Sequence, residues 1–88
     1  MKIDEAIGFC EQAKKLENPP FPRAVLLLGL AKSFKARQTS IHIDRQDLFK
    51  SAVQHFRESI ELDPYDSIAH FHLAQNLAFL NEVCFVLH

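Results

Sequence analysis

Glycine and cysteine each occur only twice in the 88 residues, and tryptophan is missing altogether. So little glycine, with no Asn-Gly or Asp-Gly pair and no sustained apolar/polar alternation, excludes a hairpin-rich β fold. Cys10 and Cys84 lie far apart. They are too few for a disulfide scaffold and point to a reducing, intracellular compartment. No apolar run approaches the ~18 residues that a membrane span needs. The longest, Ala24–Ala31, holds eight residues, one of them Gly29. An excess of either charge is also lacking: 10 Lys+Arg face 11 Asp+Glu, a net charge of -1. That leaves no electrostatic footprint for nucleic acid. The opening Met-Lys-Ile-Asp-Glu puts acids where a signal peptide needs an apolar stretch. There is no glycine-rich phosphate loop, no Gly-x-Ser-x-Gly and no Cys-x2-Cys.

What is present is 48% hydrophobic and 24% charged residues, the mix of a soluble globular chain. A chain this short buries only about 60–65% of its unfolded surface, so its core must come from long, closely packed helices. Helical spacing appears four times, and the expected class is all-α with about four antiparallel helices.

The first helix is expected over 3–17, where Ile3, Ala6, Ile7, Cys10, Ala13 and Leu16 share one face. Glu11 and Lys15 pair four apart on the other face, and Asn18-Pro19-Pro20 stops the helix. The second is expected over 23–37. Pro22 suits its first turn, Val25 to Leu30 are apolar almost all round, and Lys32, Lys35 and Arg37 make its tail basic. A helix apolar on all sides expects neighbours on more than one side. Residues 38–44 are expected to be a loop, with a brief alternation over Ser40–Ile43. The third helix is expected over 45–62, with Asp44 as N-cap and a stripe of Leu48, Phe49, Ala52, Val53, Phe56, Ser59 and Ile60. Asp63-Pro64 closes it. The fourth is expected over 67–80 after Asp66, a good N-cap.

An internal repeat links these segments. Ala52-x3-Phe56-x2-Ser59-x4-Pro64 is followed by Leu73-Ala74-x2-Leu77, and Leu27-x2-Leu30-Ala31-x2-Phe34 repeats the latter pattern upstream. Ala6-x3-Cys10-x2-Ala13 does the same for the former. The spacing resembles the tetratricopeptide repeat. In that frame Ala31, Ala52, Ser59 and Ala74 sit where helices cross closely, and Leu27, Phe34, Phe56 and Leu77 fill the gaps. The chain then reads helix B, helix A, loop, helix B, helix A. Ala24 and Ser67 are 43 residues apart, about nine more than the usual ~34. The surplus falls between Phe34 and Ala52, where it lengthens a loop or extends helices. Leu28-Gly29-Leu30-x2-Ser33, the long insertion and Ala52 to Ala78 resemble, more narrowly, the tetratricopeptide repeat protein 7 family. That resemblance implies a right-handed α-solenoid and a scaffold role in the plasma-membrane phosphatidylinositol 4-kinase complex. It covers about residues 21–78.

The carboxyl end departs from any repeat. Residues 83–88 read Val-Cys-Phe-Val-Leu-His, an apolar tail or a truncated next helix. A truncated or alternatively ended product of a longer scaffold is expected here. The other reading is an apolar tail that docks on a partner or on the chain's own first helix, or that self-associates.

Candidate chemistry is sparse. His70 and His72 form a His-x-His pair, the only basis for a metal-dependent enzyme; on a helix the two point about 200° apart. Cys10 falls at a core position and reads as an inert thiol, and Cys84 as a site of adventitious oxidation. Glu61, Asp63 and Asp66 read as capping and turn residues. No catalytic residue, metal or cofactor is expected. The resemblance implies a concave groove lined by Val25, Leu28, Lys32, Lys35, Ile68, Phe71, His72, Gln75 and Phe79. Those residues either bind another protein or pack on neighbouring repeats of a longer scaffold. A chaperone-linked adaptor that clamps acidic peptide tails is the nearest alternative, but Leu28 and His72 stand where a Lys and an Asn are needed. The basic trio Lys32, Lys35 and Arg37 either ends a helix in solvent or meets an acidic partner or lipid headgroup. The expected partners are therefore other proteins. The expected location is cytoplasmic, with peripheral attachment to the plasma membrane through those partners.

Overall fold

The structure, a computed structural model, describes the backbone of residues 2–87 and the side chains of residues 2–81. Helix α1 spans Ile3–Leu16, α2 Pro22–Gln38, α3 His42–Leu62 and α4 Ser67–Leu87. There is no strand among the described residues, and the fold is all-α.

Local chemistry accounts for most boundaries. α1 starts with Asp4 and Glu5 in its first turn and ends with Lys14 and Lys15 in its last, complementing the helix dipole at both ends. The extended Glu17 and the two following prolines end it. Pro22 opens α2, as its fixed φ favours. Thr39 ends α2: its amide bonds to the Ala36 carbonyl, and its hydroxyl donates to the Lys35 carbonyl at 2.8 Å. Asp66 caps α4, its carboxylate accepting from the Ile68 amide at 3.0 Å.

Two expectations need correction. The 38–44 loop shrinks to Thr39–Ile41, because α3 begins at His42. Asp44 thus lies within the first turn of α3, and Ile41 is the N-cap. Ser40–Ile43 forms no extended piece: Ile41 and Ile43 are both exposed and have no surface on which a strand would pack. The surplus residues between Phe34 and Ala52 therefore lengthen the helices. The second correction concerns α4, whose backbone continues to Leu87 and does not stop near Leu80. The readings that invoked the 83–88 side chains, Cys84 included, lie outside the described residues.

Successive helices run antiparallel. Ser59 Oγ donates to the Pro22 carbonyl at 3.2 Å at one end of the α2–α3 pair, and Ala36 meets Phe49 at the other. Phe56 stacks on His72, and Phe49 lies 5.6 Å from Phe79, which fixes the α3–α4 pair. α2 touches all three other helices, whereas among the described residues α1 does not touch α4. The array is open, 39 × 28 × 18 Å, and about two helices thick.

The core has two clusters. Leu26, Ala52, Phe56 and Ala69 form one, with Leu30, Ile60 and Leu73 against it. Ala36 and Phe49 form the other, joined by Leu48, Phe79 and Leu80. Gly29 is required by a close approach: a Cβ there would sit 2.8 Å from the fully buried Phe56 ring. The small-and-large pattern is realised only partly. Ala52, Phe56 and Ser59 are buried, but Ala31 is half-buried and Ala74 exposed. Leu27, Phe34 and Leu77 are 53%, 39% and 39% exposed. On α2 the core face rotates to Leu26, Gly29, Ser33 and Ala36, leaving Leu27 and Phe34 on the side of α1.

Candidate interaction surface

The nine residues expected to line one groove divide between two fates. Val25 and Leu28 are 0% and 2% exposed, and so belong to the core, unavailable to a partner. Lys32 is half-buried and donates to Ser51 Oγ at 2.9 Å, with His55 Nε2 at 3.0 Å. Lys35 pairs with Asp4 of α1. The α2 half of the set is thus consumed inside the molecule. On α4 the outcome differs: Ile68 and Phe71 are exposed, and His72, Gln75 and Phe79 half-buried. His72 lies between the rings of Phe56 and Phe71, and Arg37 sits 5.6 Å over the Phe79 ring.

The exposed part of α4 is more extensive than the groove frame foresaw. Ser67, Phe71, Ala74 and Ala78, at helical spacing, are all exposed on the side opposite the buried Ala69 and Asn76, and Leu77 flanks them. From Ser67 to Asn81 the helix contains no Asp, Glu, Lys or Arg. Such a helix expects contact on both faces. The signal for the missed residues Ser67, Ala74, Leu77 and Ala78 was this absence of charge.

Between α1, α2 and α3 lies a polar seam that sequence reasoning also missed. His55 is neutral at ordinary pH, because its Nε2 accepts from the Lys32 ammonium. Burial first, then the Lys32 and Lys14 ammoniums, lowers its pKa to about 4, against an opposing pull from Glu58 and Glu11. Its Nδ1 is buried without a hydrogen-bond partner. Lys14 bridges to Glu58 at 2.9 Å and ties α1 to α3. The only available signal was the four-residue step from Ser51 to His55, which aligns both on one face of α3.

The chemically reactive side chains are dispersed. His70 Nε2 is 2.9 Å from the Pro64 carbonyl, while His72 stacks on Phe56, so the His-x-His pair is split between two surroundings. Among the described residues no three His, Cys, Asp or Glu side chains converge as metal ligands. Cys10 is half-buried in an apolar cleft of ≈ 300 Å³ with Leu27, Leu30 and Phe34, where burial pushes its thiol pKa up and keeps it protonated. No described helix is long and apolar enough to cross a membrane.

No protein-family model matches the chain, and no curated protein or solved structure matches it significantly.

Proposed function

We propose that this chain is a protein–protein interaction module without catalysis, a piece of a helical-repeat scaffold of the tetratricopeptide type. The observation that carries this reading is the uncharged, uncovered face of α4. A helix with no charged residue from Ser67 to Asn81 is built to be covered, and the chain's own described residues cover only one side of it. The open, two-layer order of antiparallel helices supports the repeat class, as does the burial of Ala52, Phe56 and Ser59 at the motif positions of α3. The resemblance to the tetratricopeptide repeat protein 7 family supports the finer reading: a cytoplasmic scaffold fragment of the phosphatidylinositol 4-kinase complex, brought to the plasma membrane by its partners. The chaperone-tail clamp has less support, because Leu28 is buried and Lys32 is held by Ser51 and His55.

The test is binding of the purified chain to purified subunits of that lipid-kinase complex. Retention of a subunit, weakened by Phe71→Asp and unaffected by the double change His70→Ala/His72→Ala, is the expected result. No retention would remove the finer reading. Metal-dependent turnover lost in the double histidine variant would overturn the non-catalytic reading itself.

A further inference from the structure

Helix α1 is attached differently from the helices beside it. It contributes no buried residue, whereas α2 contributes seven and α3 five. Its inner face of Ile3, Ala6, Ile7 and Cys10 is only half-buried, and among the described residues α2 alone packs against it. Two clefts open along this seam. One of ≈ 300 Å³ separates Ile3, Ala6 and Cys10 from Leu27, Ala31 and Phe34. The other, of ≈ 270 Å³, lies between Glu11, Lys14 and Lys15 on one side and Leu28 and His55 on the other. Gly8 meets no neighbouring atom, so it lowers the helix propensity of α1 without serving a contact. The specific ties are ionic: Asp4 to Lys35 of α2, and Lys14 to Glu58 of α3, all partly solvated. Residues 17–21 are the only covalent link between α1 and the array.

We propose that α1 is a strap: it leaves the array as a unit while the other three helices stay packed, and so opens and shuts the α2 face that holds Leu28 and Ala31. An element with few buried apolar contacts is the one that opens first. Neither core cluster contains a residue of α1, so both survive its departure. Once free, a helix of 14 residues is too short to persist alone and unwinds. Two conditions favour the open form. Salt screens the ionic ties. Acid acts through His55, which faces Lys32 of α2, Lys14 and Glu11 of α1, and Glu58 of its own helix. When α1 departs, Lys14 and part of the burial go with it, while Lys32 stays. Loss of Glu11 opposes this, but it is the smallest of the influences on the ring. The histidine pKa in the open form therefore lies above about 4 and below its ordinary 6.5. Between these values the open form binds more protons, and falling pH shifts the balance towards it.

The test is residue-resolved amide exchange of the full chain, expressed as protection relative to the unfolded chain. Amides of α1 are protected, but at least about tenfold less than those of α3. Low urea lowers protection in α3 and leaves that of α1 nearly unchanged, because the smaller opening exposes less surface. Phe49→Leu, at the contact of α3 with α4, separates the two helices in the same way. Glu58→Gln lowers protection in α1 by about two- to fivefold. A change from pH 7 to pH 5 lowers it by about two- to fourfold in the wild type and leaves it unchanged in His55→Gln. Protection in α1 that equals that of α3, and falls with it in urea and in Phe49→Leu, overturns the strap. Exchange of α1 at the rate of an unfolded peptide overturns it too, since α1 then never shuts. A fall with pH that persists undiminished in His55→Gln overturns the part given to the histidine.

Discussion

The two outer helices of the array end it in opposite ways. α1 turns Glu5, Glu11 and Lys15 to solvent beside the exposed Phe9 and Leu16, while Asp4 pairs with Lys35 and Lys14 bridges to Glu58. α4 offers an outward stripe of Ser67, Phe71, Ala74 and Ala78 with no charge. Both pack one face on their neighbours, so burial inside the fold does not explain the difference. It lies in charge: the exposed apolar residues of α1 stand among acids and a lysine, whereas α4 carries no Asp, Glu, Lys or Arg from Ser67 to Asn81.

The largest effect that sharpens this comparison comes from equivalent substitutions on the two stripes. Leu28→Ala removes a side chain that α1, α2 and α3 enclose, and should cost about 2–5 kcal/mol. Phe71→Ala, 43 residues on, should change the stability of the dilute monomer by no more than about 0.5 kcal/mol. Urea denaturation at low micromolar concentration measures both, and equal costs would break the comparison. Next in size is Gly29→Ala. The new methyl group meets the fully buried Phe56 ring, so overpacking should destabilise by about 1–3 kcal/mol despite the better helix propensity of alanine. A gain in melting temperature would show that the α2–α3 contact is looser than described.

A smaller effect comes from pH. His55 titrates near 4 in the folded chain and near its ordinary 6.5 when unfolded. Between these values the unfolded state binds more protons, so stability rises with pH across that window and is lost as pH falls toward 4. His55→Gln should flatten this slope, as compared by melting temperature at pH 7 and pH 5. Lys32→Met should raise the histidine pKa only partway, because burial is the larger cause. The smallest effect belongs to the Lys14–Glu58 bridge. A double-mutant cycle should give about 0.2–1 kcal/mol of coupling, since both side chains are partly solvated.

Much of α3 was legible beforehand. Phe49, Ala52, Val53, Phe56 and Ser59 stand at three- and four-residue steps, and all are buried as their spacing requires. α2 was harder, because residues apolar almost all round give no direction to the core. The repeat motif was read as pointing Val25 and Leu28 outward and Leu27 and Phe34 inward, yet Val25 and Leu28 are the buried pair. Neighbours on two sides decide that orientation, and local periodicity contains only one side at a time. The start of α3 was missed for a different reason. Asp44 is a strong capping residue, and the alternating Ser40–Ile43 looks extended, but Arg45 bonds back to the Ile41 carbonyl at 2.9 Å and the helix starts earlier. Of the candidate surface, Phe71 and Ile68 were legible as outward residues. The Lys32–Ser51–His55 seam was not, since it joins residues from two helices that only the fold brings together.

The most direct test of the open-edge account is residue-resolved amide hydrogen exchange of the full chain at a low and a high protein concentration. The account predicts slow exchange in α2 and α3 at both. It predicts faster exchange in α4 when dilute, and a gain of protection across Ser67–Asn81 when concentrated or when a partner is added. Exchange in α4 that is as slow as in α2 at the lowest concentration, and unchanged by concentration or partner, would contradict it.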